Sequence, residues 1–157
     1  MKKILIPALA VMLAATACNK NTDPKCEPVT TKAPDSEIAT LRAYISGAGI
    51  TATEDSRGFF YRIDRVDTAA KMPSSCSSVT VDYVGKLTNG TQFDAGNRVT
   101  FSLSGLITGW QEGIPLIGEG GAITLWLPPS LAYGNRANGS IPANSILVFN
   151  ISLLMVN

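Results

Sequence analysis

A set of widely spaced aromatic side chains, with one carboxylate among them, could form a single apolar pocket in the second half of the chain. Each lies beside a strand or turn signal and not along one face of a predicted helix. A pocket with so few polar groups suits a neutral, apolar substrate better than a phosphate or a sugar. The set comprises Tyr83, Phe93, Asp94, Phe101, Trp110, Tyr133 and Phe149.

The composition removes several kinds of chemistry. The 157 residues include no histidine, which excludes Ser-His-Asp and Cys-His catalysis and the common histidine-ligated zinc sites. Lysine and arginine total 13 against 12 acidic residues, and the basic residues form no cluster along the sequence. Nucleic acid is accordingly not an expected partner.

The first residues predict an export signal. Two lysines precede an apolar stretch from Ile4 to Ala17, which is shorter than the about 20 residues that a membrane span needs. Residues 1–17 therefore have the pattern of a secretory signal peptide. Ala15 and Ala17 suit ordinary signal peptidase, but the segment that ends at Cys18 also resembles a bacterial lipoprotein box. We favour the lipoprotein interpretation, in which Cys18 is lipidated and becomes the mature N-terminus.

The cysteine count agrees with that interpretation. The chain has three cysteines, Cys18, Cys26 and Cys76. If Cys18 carries lipid, Cys26 and Cys76 remain and can form a disulfide in an oxidising export compartment. Two unlinked thiols are the alternative.

The segment before the β pattern predicts a tether and one helix. Residues 18–34 are polar and contain three prolines, which favours a flexible lipid-anchored tether. Residues 35–57 form an N-terminal helical segment. Apolar residues at Ile38, Leu41 and Ile45 predict its helix, which ends at Gly47.

The remainder, residues 58–157, predicts an antiparallel sheet wrapped around one short helix, an α+β fold. Polar and apolar residues alternate after position 79, and Asn89-Gly90 is a strong hairpin signal. A long irregular segment before the last strand is typical of a functional loop. The predicted strands are 59–63, 79–87, 91–93, 99–103, 122–127 and a central 146–154, with a helix inside 107–116 that Pro115 limits.

Five ordered motifs resemble one known family, the FKBP-type peptidyl-prolyl cis–trans isomerases. They cover about 75 residues and leave residues 19–57 unmatched. The motifs are Val81-Asp82-Tyr83-Val84-Gly85, Asn89-Gly90-Thr91-Gln92-Phe93-Asp94, Gly105-Leu106-Ile107-Thr108-Gly109-Trp110-Gln111-Glu112-Gly113, Leu125-Trp126-Leu127-Pro128-Pro129-Ser130-Leu131-Ala132-Tyr133-Gly134 and Ile141-Pro142-Ala143-Asn144-Ser145-Ile146-Leu147-Val148-Phe149.

This resemblance implies a role for each matched position. Asp94, the Tyr133 hydroxyl and the Ile107 backbone N–H are the implied catalytic groups, of which the last two hold carbonyls of the bound peptide. Trp110 forms the pocket floor. The other implied substrate-binding residues are Tyr83, Phe93, Phe101, Leu106, Ile141 and Phe149, although Phe101 alone would more often be a core residue.

Two departures from the family pattern bear on substrate preference and activity level. Val99 occupies a position where the family often has an aromatic residue. The stretch 95–98 is shorter than in many relatives, so Arg98 is the only nearby candidate to pair with Asp94.

The resemblance implies a prolyl isomerase that acts on X–Pro bonds of exported proteins. Such a reaction rotates a bond without breaking one, so it needs no nucleophile, metal or cofactor. The expected partners are proline-containing polypeptides and a membrane that holds the lipid, and we expect a monomer. The expected location is the envelope of a Gram-negative bacterium, at the outer membrane, because Asn19 follows Cys18 instead of an aspartate. The alternative is a peptide-binding or chaperone module with little turnover, and a general all-β ligand binder is a third hypothesis.

Overall fold

A six-stranded antiparallel sheet organises the fold in a computed structural model that describes residues 28–66 and 71–157. One helix precedes the sheet and a shorter one lies between the fourth and fifth strands. The elements are α1 Asp35–Gly47, β1 Thr53–Glu54, β2 Phe60–Arg65, β3 Ser78–Leu87, β4 Gln92–Ser102, α2 Thr108–Gly113, β5 Ala122–Leu127 and β6 Leu147–Val156. Single 3₁₀ turns occupy Leu103–Gly105, Ile114–Leu116 and Pro129–Leu131.

The order of the strands places the last one inside the sheet. It runs β1-β2-β5-β6-β3-β4, and all the pairs are antiparallel. β6 therefore has neighbours on both sides, as its apolar sequence predicted. These observations confirm the α+β class, with an antiparallel sheet wrapped around a short helix.

Several predictions concern residues outside the described ranges. The signal peptide over 1–17, the lipidation site Cys18 and the first part of the tether lie there, as does Cys26. Within the described residues, no helix is long and apolar enough to cross a membrane.

Helix α2 lies very close to β5 because glycines face the strand. A Cβ atom added at Gly109 would lie 2.5 Å from the side chain of Leu127, and one at Gly113 would lie 2.6 Å from that of Leu125. Both leucines are fully buried. Real Cβ atoms essentially never approach that closely, so glycine is what allows the helix to lie against the sheet at this distance.

The helix lies within the predicted segment 107–116 and ends before Pro115, the residue expected to limit it. α2 ends at Gly113 and a 3₁₀ turn follows it. Pro115 has no N–H and its ring opposes a continuing α-helix, which accounts for the change.

Strand β4 is continuous where the sequence predicted two strands, 91–93 and 99–103. The register with β3 moves by one residue between the pairs Val81–Val99 and Tyr83–Gly96, which marks a bulge in β4. Arg98 lies in the bulge with a φ of 50°, and its N–H donates to Asp82 Oδ1 at 2.6 Å. The strand is mostly exposed and forms the sheet edge, so its sequence shows no strong alternation.

Helix α1 covers the face of β2 and β5 that points away from α2. Its apolar stripe buries Leu41 and Ile45 against Phe60 and Trp126. Trp126 faces away from its neighbours Leu125 and Leu127, because the leucines belong to the main core and the tryptophan to the cluster under α1.

The chain before α1 is also attached to the domain. Ala33 is buried, with 2% of its surface exposed, and its N–H donates to the carbonyl of Arg57 at 2.9 Å. The end of the predicted tether 18–34 therefore contains a residue that is fixed on the folded unit.

We predict that Leu41→Ala lowers the free energy of unfolding of the whole domain by about 2–4 kcal/mol, because the truncation leaves a cavity between α1 and the sheet. Urea unfolding followed by tryptophan fluorescence measures this loss. The control is Ser46→Ala at an exposed position of the same helix. Equal stability of the two variants would contradict the inference that α1 is part of the folded unit.

Candidate active site

A cavity of about 140 Å³ lies between α2 and the sheet and is closed by the loop after β5. Two grooves of about 610 and 650 Å³ are larger, but they gather at most one aromatic side chain. The small cavity gathers five, which makes it the better candidate for an apolar ligand. Its lining consists of Tyr83, Asp94, Phe101, Leu106, Ile107, Trp110, Tyr133 and Phe149.

Trp110 on α2 forms the floor of this cavity. Its ring is buried and meets three aromatic rings edge to face, at centroid distances of 5.1 Å to Tyr83, 6.0 Å to Phe101 and 5.3 Å to Phe149. Such T-shaped pairs add stability beyond the burial of area. The indole plane is therefore held from several sides, and among the described residues its Nε1 has no hydrogen-bond partner.

The polar groups of the cavity lie at its rim. The Tyr83 hydroxyl donates to Asp94 Oδ2 at 2.8 Å, and the Ala95 N–H donates to Asp94 Oδ1 at 2.9 Å. Asp94 is exposed, so its charge remains in contact with water. Burial, followed by the hydrogen bond to Asp94 and its charge, raises the pKa of Tyr83 to about 12. This phenol therefore stays protonated and keeps its bond to the carboxylate.

Tyr133 lies on the loop between β5 and β6, opposite this pair. Burial, with a smaller contribution from the charge of Asp94, raises the pKa of its phenol. The hydroxyl is thus a neutral donor at physiological pH. It has no acceptor among residues 28–66 and 71–157, so it is available to a ligand in the cavity.

A backbone N–H at a second residue of the cavity lining is also available. Ile107 precedes α2 in an extended conformation, with φ −58° and ψ 147°. Its carbonyl accepts hydrogen bonds from the N–H groups of Trp110 and Gln111, at 2.9 and 3.2 Å. No acceptor for the Ile107 N–H occurs in the described part of the chain.

Eight of the ten site residues that the sequence predicted line the cavity, and two do not. Phe93 lies outside the lining and supports Phe149 edge to face at 5.5 Å, over Gly85, where a Cβ would lie 2.6 Å from the Phe93 ring. Ile141 is 6% exposed and belongs to the core, and its backbone pairs with Asn138 in an isolated bridge within the loop between β5 and β6.

The two residues that depart from the family pattern, Val99 and Arg98, do not line the cavity. Val99 is half-buried opposite Val81 and does not line the cavity. Arg98 forms no ion pair with Asp94 within the described residues, because its backbone turns at the bulge toward Asp82. The partners of Asp94 are instead Tyr83 and the adjacent backbone.

The buried carboxyl group of Glu112, on α2, was not predicted from the sequence. The residue is 2% exposed, and neither carboxyl oxygen has a hydrogen-bond partner among the described residues. Burial raises its pKa to about 7, assisted by the negative charge of Asp55 and opposed by the positive charge of Arg57 and by the nearby backbone N–H of Thr31. The guanidinium of Arg57 pairs with Asp55 at 2.7 Å and contacts only the backbone carbonyl of Glu112, at 3.4 Å.

No metal centre accompanies the cavity. In residues 28–66 and 71–157, no group of three or more histidine, cysteine, aspartate or glutamate side chains could hold a metal ion. The arrangement instead offers an apolar enclosure, two hydrogen-bond donors and one carboxylate at the rim. This is suited to binding a neutral group whose carbonyls need donors.

The sequence model of the FKBP-type peptidyl-prolyl cis–trans isomerases matches residues 69–154. That range is more than half of the chain and contains every residue that lines the cavity. The chain therefore belongs to the FKBP-type peptidyl-prolyl cis–trans isomerase family.

Curated relatives are similar over most of this chain. It is 43% identical over 118 residues to the FKBP-type peptidyl-prolyl cis–trans isomerase FkpA of Buchnera aphidicola subsp. Schizaphis graminum, covering 73% of this chain and 46% of the relative. It is 41% identical over 120 residues to FkpA of Aeromonas hydrophila, covering 74% and 44%. The chain thus spans less than half the length of these relatives.

Solved structures share the fold. The crystal structure of FkpA from Escherichia coli aligns with a TM-score of 0.70 and 34% identity, over 78% of this chain and 60% of that one. A peptidyl-prolyl cis–trans isomerase from Pseudomonas syringae pv. tomato aligns with a TM-score of 0.69 and 28% identity, over 81% and 98%.

The buried Glu112 makes a testable prediction about stability and pH. Its folded pKa of about 7 lies above the 4.5 of an unperturbed glutamate, so the folded state binds more protons than the unfolded state between these values. The stability that depends on the protonated group is fully present below pH 4.5 and is lost as the pH rises through 7, by up to about 3 kcal/mol.

Glu112→Gln removes this titration, so its free energy of unfolding should fall less than that of the wild type as the pH rises. Urea unfolding of both proteins at about pH 5 and about pH 8 measures the difference. Asp55 and all other titrating groups are common to the two proteins and cancel in the comparison. Parallel pH dependences of wild type and variant would contradict the prediction.

Proposed function

We propose that the chain catalyses cis–trans isomerisation of X–Pro bonds in polypeptides. The observation that carries the proposal is the aromatic cavity above Trp110, bordered by the Tyr133 hydroxyl and the Ile107 N–H, neither of which has a hydrogen-bond partner among the described residues. A proline ring matches such an enclosure, because it is neutral and compact. Its flanking carbonyls can accept from the two donors. The family membership supports the same activity.

The chemistry asks for stabilisation of a twisted amide. Resonance gives the peptide C–N bond partial double-bond character, so that rotation has a barrier of about 18–20 kcal/mol. Twisting ends the resonance and removes partial negative charge from the carbonyl oxygen. An apolar, water-poor cavity favours this less polar state over the planar one, which is differential binding of the transition state. A 10⁴-fold acceleration requires about 5–6 kcal/mol at about 1.4 kcal/mol per tenfold.

The rim groups supply position and orientation. In this proposal the Ile107 N–H and the Tyr133 hydroxyl each donate to a carbonyl of the bound peptide. Asp94 holds the Tyr83 hydroxyl, which keeps the Tyr83 ring against Trp110. Phe93 and Ile141 do not touch the ligand in this proposal and pack behind the residues that line the cavity. The remaining binding residues, Phe101, Leu106 and Phe149, form apolar surface around the ring.

We predict that Tyr133→Phe and Asp94→Ala each lower kcat/KM on a proline-containing peptide by about three- to tenfold, the expected effect of one lost hydrogen bond. The fold should be unchanged in both. Protease-coupled isomerisation of a short peptide measures the rate. Tyr44→Phe, the same substitution on α1 outside the cavity, is the matched control and should retain full activity.

The activity of the wild-type protein distinguishes an isomerase from a peptide-binding module. If it gives no acceleration above the thermal rate, isomerase activity is ruled out. Peptide binding without acceleration would instead favour the peptide-binding or chaperone alternative. Full activity in Tyr133→Phe would remove the hydroxyl from the mechanism and leave the other parts intact.

We further propose an exported, lipid-anchored form of the protein. The support is the signal-peptide pattern over 1–17 and the lipoprotein-like segment that ends at Cys18. The anchored arrangement consists of a tether over 18–34, a helical segment over 35–57 and an isomerase domain over 58–157. We place it in the envelope of a Gram-negative bacterium, at the outer membrane, where unfolded exported proteins supply X–Pro bonds.

The proposed disulfide joins Cys26 to Cys76. Cys76 lies in the turn before β3, at the start of the domain. A bond from there to Cys26 would fasten the tether to the domain. In the chain-entropy model a loop of this length contributes about 3–5 kcal/mol.

Mass spectrometry of the protein purified from membranes tests these proposals together. The mature chain should begin at Cys18 and carry the added mass of lipid, which Cys18→Ala should lose. Alkylation should modify Cys26 and Cys76 only after reduction. The native mass should be that of one chain. An unmodified Cys18, alkylation without reductant, or a dimer mass would each reject the corresponding proposal.

A further inference from the structure

Gln111 contacts the peptide group that carries one of the two free donors. Its side-chain Nε2 donates to the carbonyl oxygen of Leu106 at 2.7 Å. That carbonyl belongs to the same peptide unit as the N–H of Ile107. The Gln111 side chain is partly buried, on the first turns of α2, and does not line the cavity.

The same residue also holds the next peptide unit. The backbone N–H of Gln111 donates to the carbonyl of Ile107 at 3.2 Å. Both carbonyls that flank the Ile107 N–H are therefore bonded to Gln111. Leu106 and Ile107 are in extended conformations outside the helix, so the helical hydrogen bonds do not fix the Leu106 carbonyl. The Gln111 side chain is its donor in the described structure.

These bonds determine where the Ile107 N–H points. A peptide unit is planar and trans, so its N–H and C=O point in opposite directions. With the Leu106 oxygen directed at Gln111, the Ile107 hydrogen is directed away from that side chain. Rotation of this unit about its flanking bonds would break the 2.7 Å contact.

The bond also changes the donor strength of the N–H. A carbonyl that accepts a hydrogen bond polarises its own peptide unit, and the N–H of that unit becomes a better donor. The effect requires a donor at residue 111, which glutamine has and a carboxylate lacks.

We propose that Gln111 is a positioning residue for substrate binding: through the Leu106 carbonyl it orients and polarises the Ile107 N–H that holds a carbonyl of the peptide. The identity of the substrate rests on the proposed function. The contact between Gln111 and the Leu106 carbonyl is independent of that function, because it is observed in the structure. Gln111 acts through this peptide group and touches no reacting atom.

The test uses Gln111→Met, which keeps side-chain length and removes the donor, and Gln111→Glu, which places a carboxylate against the Leu106 oxygen. The chain has a second glutamine, Gln92, at an exposed position of β4, so Gln92→Met is the matched control. Both Gln111 variants should lower kcat/KM by about three- to tenfold, mainly through a higher KM, because the affected contact is made with bound substrate throughout the reaction. The control should leave kcat/KM unchanged.

A spectroscopic measurement separates positioning from a structural role. In nitrogen-15 spectra without peptide, the Ile107 amide resonance should move upfield in both Gln111 variants and stay in place in Gln92→Met. Added proline-containing peptide should shift that resonance less in the variants than in the wild type. If one Gln111 variant fails to fold, the other carries the comparison.

The outcomes distinguish this inference from the proposed function. If the wild type is inactive but its Ile107 resonance still changes in the Gln111 variants, the isomerase activity is contradicted and the contact between Gln111 and this peptide group is supported. An active wild type, with Gln111 variants whose Ile107 resonance and KM are unchanged, would overturn the positioning role. Lower stability alone, with both of these readouts unchanged, would also overturn it.

Discussion

The close approach of α2 to β5 is the constraint on which the rest of the structure depends. Gly109 and Gly113 leave no Cβ between the helix axis and the leucines of β5, so the helix lies directly on the sheet. Trp110, between them, is then carried into the ring of aromatic side chains from β3, β4 and β6. The extended residues before the helix are placed by the same contact, because α2 begins immediately after Ile107. If the helix were displaced by the width of a methyl group, both the Trp110 ring at the cavity floor and the Ile107 N–H would move.

Charge is distributed so that the cavity stays apolar while its edge is polar. Asp94 is exposed, which keeps the cost of its charge low, yet its bond to Tyr83 reaches the aromatic wall. Glu112 is buried on α2 outside the cavity lining, and this burial favours the neutral acid. Neither carboxylate therefore places a charge inside the enclosure, where it would stabilise the polar, planar amide. The donors that remain are neutral groups, the Tyr133 hydroxyl and the Ile107 N–H.

The sequence predicted the fold and most of the cavity because the informative residues lie on regular elements. Alternation predicted β5 with the bounds that the structure has, and periodicity predicted α1 with its end at Gly47. Long-range contacts could not be read in this way. Phe93 was expected to line the cavity, but its strand directs it to the back of Phe149. Ile141 packs in the core, and its backbone forms a bridge to Asn138 within the same loop. The burial of Glu112 depends on chain segments some 55 residues away, at Arg57, and no local pattern reports such a contact.

Arg57 contacts both the segment that precedes α1 and helix α2. Its guanidinium is held by Asp55, lies over the ring of Phe59 and reaches the backbone carbonyl of Glu112 on α2. Its own carbonyl accepts from Ala33 in the chain that precedes α1. A partly buried ion pair with this many fixed contacts is more rigid than a surface pair, because neither side chain has to be ordered by the pair alone. The turn at Asp55 and Arg57 therefore joins the end of the predicted tether to the helix that carries Trp110, and a displacement of either one is opposed by the same set of bonds.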